Sequence, residues 1–176
     1  MERAVLEGVR RGDAACFEAL FRQYCQDLVR FAHRYTRDIP AAENTVQEVF
    51  LRVWRDRQRL DPSANVKAYL YTAVRNESLK VLRHAEVEDR HADGLTVASP
   101  RTPEDEWRDR STACAVHQAI EQLPDRRRRI FQMNRFDHLT YAEIAQVLEI
   151  SIKTVETQMG RALASLRDAL AGHLEG

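Results

Sequence analysis

Between Thr140 and Leu166 the chain reads T-Y-A-E-I-A-Q-V-L-E-I-S-I-K-T-V-E-T-Q-M-G-R-A-L-A-S-L, and its polar residues recur at spacings suited to duplex DNA. At about 100° per residue, Lys153, Thr154, Thr157, Gly160 and Arg161 fall opposite a stripe of Val155, Met159, Ala162, Leu163, Leu166 and Leu170. Hydroxyls and cations on such a face can bond base edges and phosphates, and Gly160 lets a backbone come close. A second set, Tyr69, Thr72, Asn76, Lys80 and Arg83, runs along one edge of another helical stretch. A ring to stack bases, an amide for their edges and cations for phosphates are what a single strand requires. A third set, Glu43, Asn44, Gln47, Glu48 and Arg52, flanks a packed stripe. It is either solvated surface or a place for a basic protein partner. The run Arg126 to Arg129 opens a helix, where the dipole disfavours cations, so it is read as a contact to phosphate or to an acidic protein surface.

These groups need helices to hold them, and the sequence supplies them. Thr140 and Glu143 form a capping box, Ile144, Ala145 and Leu148 make an apolar edge, Glu149 and Ile150 form a turn, and Ser151 caps the next helix. That is a helix-turn-helix pattern. Glu149 stands where such turns often place Gly for a positive φ. Upstream, Gly12-Asp13 starts a long helix with Phe17, Leu20, Phe21, Tyr24, Leu28, Phe31 and Tyr35 inward. Pro40 then opens a helix over about 41–57 that buries Val46, Val49, Phe50, Val53 and Trp54. After the turn-rich Leu60–Asn65, a third helix spans Val66 to Arg83 with Val66, Leu70, Ala73, Val74 and Val81 inward. Periodicity is lost from His84 to Trp107, where Ser-Pro and Thr-Pro pairs occur among acidic residues. It returns at about Ser111, with Ala113, Val116, Ile120 and Leu123 on one face, then with a helix over Arg126 to Phe136.

Helix formers dominate and Gly and Pro are few, so the expected fold is all-α: two small helical domains joined by a flexible acidic linker, the second holding the helix-turn-helix. The boundaries are 1–84, 85–110 and 111–176. Net charge is zero, but residues 1–83 carry 15 Lys and Arg against 11 Asp and Glu, and residues 84–117 carry 4 against 8. Cys16, Cys25 and Cys114 lack ligand spacing and are read as buried or idle thiols in a reducing compartment. No metal or cofactor is expected. The charged N-terminus is unlike a signal peptide, no run reaches a membrane span, and the expected location is the cytoplasm. Phosphate loops, paired carboxylates and nucleophile arrangements are all missing, which argues against an enzyme.

The order of parts resembles the extracytoplasmic-function sigma factors of bacterial RNA polymerase, in the sigma-70 superfamily. The resemblance rests on G-D-A-A-C-F-E-A-L-F-R-Q-Y, A-A-E-N-T-V-Q-E-V-F-L-R-V-W, V-K-A-Y-L-Y-T-A-V-R-N-E-S-L-K-V-L-R, A-I-E-Q-L-P-D-R-R-R-R-I-F and the helix-turn-helix. It implies that Glu43, Asn44, Gln47 and Glu48 dock on the clamp helices of the polymerase large subunit. Asn65, Lys67, Tyr69, Asn76, Lys80 and Arg83 would melt and hold the −10 element. Ser151, Lys153, Thr154, Thr157, Gln158 and Arg161, with Arg128, would bind the −35 duplex. An anti-sigma factor is a further partner that kinship implies. Asn44 and Lys80 stand where the family has Asp, and Glu149 replaces the turn Gly. The competing expectation is a helix-turn-helix regulator acting without polymerase. That would need a ligand pocket or a self-complementary face in residues 1–83, and neither is visible.

Overall fold

The computed structural model describes the backbone of residues 2–89 and 107–174 and the side chains of residues 3–83 and 114–171. Most of the acidic linker lies outside the described residues. Among the described residues every regular element is a helix, and the chain falls into two compact units.

The first unit contains α1 (Glu2–Arg11), α2 (Ala14–Thr36), α3 (Ile39–Arg55), a short 3-10 turn at Arg57–Arg59, and α4 (Val66–Asp89). Asp13 caps α2 by accepting from the Ala15 and Cys16 amides at 2.9 and 3.3 Å, and Asp38 caps α3 through the Ala41 amide at 2.8 Å. Helix α2 packs on both α3 and α4, with α1 laid across α2. The core between them is aromatic: Phe17 and Phe21 meet Phe50 at centroid distances of 6.0 and 4.9 Å, and Phe31 meets Tyr71 at 4.9 Å. Tyr71 was not among the inward residues expected from sequence, yet it is fully buried. Because α2 and α3 both pack on α4, the helix buries Ala68, Tyr71 and Ser78 beyond its apolar stripe.

Helix α1 was not expected as an element. It buries Leu6 and Val9, and Gly12 ends it at φ 88. The Gly12 amide returns to the Val9 carbonyl at 2.9 Å and the Asp13 amide to the Gly8 carbonyl at 3.0 Å, the pairing of a Schellman cap. Helix α4 runs on to Asp89, past the Arg83 end read from sequence, and the next helix begins at Trp107 rather than Ser111.

The second unit contains α5 (Trp107–Glu121), α6 (Asp125–Arg135), most of α7 (Tyr141–Leu148) and α8 (Ile152–Leu174), with α5 and α6 packed on α8. Its core joins Ala119, Ile120, Leu123, Ile130, Phe131, Ile144, Val155, Met159, Ala162 and Leu166. Leu163 departs from the expected stripe. It stands 48% exposed, because its position lies at the edge of the arc that α8 turns to its neighbours. The capping box forms: the Thr140 amide donates to Glu143 Oε2 at 2.8 Å and the Glu143 amide to Thr140 Oγ1 at 3.3 Å. Glu149 takes φ 56, and the Ile150 amide closes the α7 end onto the Ala145 carbonyl at 3.0 Å. A glutamate therefore occupies the left-handed position that favours glycine. The cysteines are free; Cys16 and Cys25 are half-buried and Cys114 is exposed, so of the two expectations, buried or idle, none of the three is fully buried.

Candidate functional site

Three helix faces carry the candidate residues. On α3 the buried side supplies Ala42, Thr45, Val46, Val49, Phe50 and Val53 to the core, which turns Glu43, Asn44, Gln47 and Glu48 to solvent. Ile39 and Leu51 continue the ridge through Glu43 and Gln47 at four-residue steps and are 58% and 62% exposed. Sequence reasoning passed over Leu51; its signal was an apolar residue out of register with the core stripe. Arg52 does not join this face. It leans to α4 and donates to Glu77 Oε2 at 2.6 Å, and Lys80 completes the cluster at 3.2 Å. The Arg52 hydrogen bond, with help from Lys80, holds the Glu77 carboxyl below its ordinary range against the opposing effect of burial.

On α4, Tyr69, Asn76, Lys80 and Arg83 are exposed along one edge and Thr72 is half-buried between them. Tyr69 also lines a cavity with Leu6, Asp56, Arg59, Leu60, Asp61, Ala64 and Val66. Arg59 is a residue that sequence reasoning did not place there. Asn65 and Lys67 are tied into the start of the helix: Asn65 Oδ1 accepts from the Ala68 amide at 2.9 Å, and Lys67 Nζ lies 6.0 Å from the Tyr71 ring centroid. Thr72 Oγ1 donates to the Ala68 carbonyl at 2.7 Å and Arg83 Nε to the Leu79 carbonyl at 3.1 Å. Asp61 anchors the preceding loop by accepting from the Ser63 hydroxyl and amide at 2.6 and 2.8 Å. Those two bonds lower its carboxyl from the usual value.

On α8, Ser151 accepts from the Thr154 amide at 3.1 Å and shares a 2.8 Å bond with the Thr154 hydroxyl. Thr157 Oγ1 donates to the Lys153 carbonyl at 2.8 Å. Lys153, Thr157, Gly160 and Arg161 are exposed, and Gln158 is half-buried on the flank. Nothing lies within 4 Å of where a Cβ on Gly160 would stand. Ile152, also missed, is 48% exposed at the helix start.

The arginine run has a structural use that the sequence did not disclose. Arg128 Nη1 donates to the Glu121 carbonyl at 2.6 Å, and its guanidinium pairs with Glu121 and Asp125. It thereby binds the last turn of α5 to the first of α6 and satisfies a carbonyl left open at a helix end. Arg126 and Arg129 are the exposed members.

Separate helical units, one bearing a helix-turn-helix with exposed Lys153 and Arg161, are the architecture of a DNA-binding protein. Residues 20–87 match the Sigma-70 region 2 family and residues 115–166 the Sigma-70, region 4 family. The chain is 31% identical over 169 residues to the ECF RNA polymerase sigma factor SigL of Mycobacterium tuberculosis, covering 93% of this chain and 94% of that one. Its fold is similar to that of CnrH in complex with the cytosolic domain of CnrY, with a TM-score of 0.68 at 20% identity, covering 97% of each chain. It is also similar to the sigma factor RpoE of Bartonella quintana in complex with the anti-sigma factor NepR, with a TM-score of 0.67 at 22% identity, covering 88% of this chain and 96% of that one. The chain belongs to the extracytoplasmic-function sigma factors of the sigma-70 superfamily. It directs promoter-specific transcription. No helix among the described residues is long and apolar enough to cross a membrane, and no cluster of side chains among them could hold a metal ion.

Proposed function

We propose that the chain divides promoter recognition between its two units. The exposed face of α3, Glu43, Asn44, Gln47 and Glu48 with Leu51 as an apolar anchor, docks on the polymerase clamp helices. The α4 edge, Tyr69, Asn76, Lys80 and Arg83, with Asn65 and Lys67 fixing its start, holds the melted −10 strand. Stacking on Tyr69 retains an unpaired base, and Lys80 and Arg83 follow the phosphates. Helix α8 enters the −35 major groove with Ser151, Lys153, Thr154, Thr157, Gln158 and Arg161, while Arg128 fixes the helix beneath it. Residues 1–84 and 111–176 are the working domains and 85–110 their tether. No bond is made or broken by the chain, which acts in the cytoplasm as a specificity subunit rather than an enzyme.

The observation that carries this reading is that each candidate face is the solvent side of a helix whose opposite side builds a core. An anti-sigma partner fits the same scheme, since a protein that covers the α3 face would keep polymerase away. Run-off transcription with purified core polymerase tests it. Transcripts from specific start sites should require this chain and vanish with the pair Gln47→Ala and Glu48→Lys. Transcripts that survive the pair, or tight duplex binding without polymerase, overturn it.

A further inference from the structure

Across residues 152–162 of α8 the sole acidic side chain is Glu156, exposed on the side of the helix that also carries Lys153 and Gly160. Lys153, one turn earlier, holds it with Nζ 3.5 Å from Oε2, and the two side chains are 48% and 86% exposed, Glu156 the less so. Gly160, one turn later on the same side, presents no side chain, and the space around it is open. A carboxylate in this place weakens binding to every duplex by repelling the backbone. The exception is a duplex that offers it a hydrogen-bond donor.

Resting on the reading of α8 as the −35 helix, we propose that Lys153 and Glu156 act as a couple that reads one G·C base pair. The ammonium takes guanine O6 and N7 while the carboxylate accepts from the cytosine N4 amino group. The pair presents a donor and an acceptor side by side, the complement of the acceptor and donor that the G·C major-groove edge displays. An A·T pair fits the couple poorly. Its one donor, adenine N6, lies between the N7 and O4 acceptors, so the ammonium can take only one of them and the other still faces the carboxylate, whereas guanine sets N7 and O6 together on the ammonium's side. The bare Gly160 gives the base-pair edge room to reach the couple.

The test is transcription by the full chain with core polymerase from a template pool randomised through both promoter elements. Wild type should select a G·C pair at one upstream position. Glu156→Gln should lower that preference about tenfold while preferences at the remaining positions stand, and Lys153→Met should relax the same position. Uniformly stronger transcription from all templates with Glu156→Gln would reduce the residue to a phosphate repellent and overturn the proposal. So would an unchanged G·C preference. If wild type selects a −10 element but no upstream element, the assignment of α8 to the −35 duplex fails, and this inference fails with it.

Discussion

Replacing Glu77 by Gln removes the charge from the bridge that ties α3 to α4. The Arg52 to Glu77 bond is short at 2.6 Å, with side-chain exposures of 39% and 20%. Breaking a fully buried pair costs about 3–5 kcal/mol and an exposed one about 0.2–1 kcal/mol. Solvent screening of the arginine places this pair near the exposed end, at about 1 kcal/mol. For a unit of this size that corresponds to a fall of about 5 °C in melting midpoint. The effect depends on pH with a definite sign. Arg52, then Lys80, hold the Glu77 carboxyl below its ordinary value. The bridge therefore contributes in full above the carboxyl range of the unfolded chain, near pH ~4.3, and is lost as pH falls through the lower folded value. Trp54 fluorescence in a Trp107→Phe background reports urea unfolding of the first unit. Wild type should exceed Glu77→Gln by about 1 kcal/mol at pH 7, with the gap closing on acidification. A gap that stays constant through the carboxyl range, or none at pH 7, refutes the reasoning.

A Cβ on Gly8 would stand 2.3 Å from Cys16 Sγ and 2.8 Å from its Cβ, so Gly8→Ala should cost about 1–2 kcal/mol in urea unfolding despite better helix propensity. An unchanged midpoint would show that α1 yields without penalty. Glu149→Gly relieves the left-handed backbone at φ 56, and after the entropy glycine adds to the unfolded chain it should stabilise the second unit by about 0.5 kcal/mol. A lower thermal midpoint would contradict the strain. Gly160→Ala should separate folding from function: helix propensity raises stability by about 0.5–1 kcal/mol while transcription from promoters needing the upstream element falls. Equal or greater transcription would show that no duplex comes close there.

The helices that carry the candidate faces were legible because each has one core side and one polar side, and burial follows the apolar spacing of Val46, Val49, Phe50 and Val53 or Val155, Met159 and Ala162. Helix α1 was hidden by its charge: Glu2, Arg3, Glu7, Arg10 and Arg11 mask a core contribution of little more than Leu6 and Val9. Tyr71 and Arg128 were hidden for a different reason. What each one meets lies across a helix pair, Phe31 on α2 for the tyrosine and Glu121 on α5 for the arginine, and periodicity within one helix carries no information about that. Leu163 shows the converse, an apolar residue that its neighbours do not reach. The turn at Glu149 was readable in both location and conformation, since the cap geometry demands a left-handed residue whatever its side chain.

Permanganate probing of unpaired thymines in the complex of core polymerase, this chain and its promoter tests the division of labour most directly. The triple substitution Tyr69→Ala, Asn76→Ala and Lys80→Ala should abolish reactive thymines in the −10 region while protection of the −35 duplex persists. Lys153→Ala with Arg161→Ala should remove that protection. Reactive thymines that survive the α4 substitutions, or upstream protection that survives the α8 pair, would contradict the account.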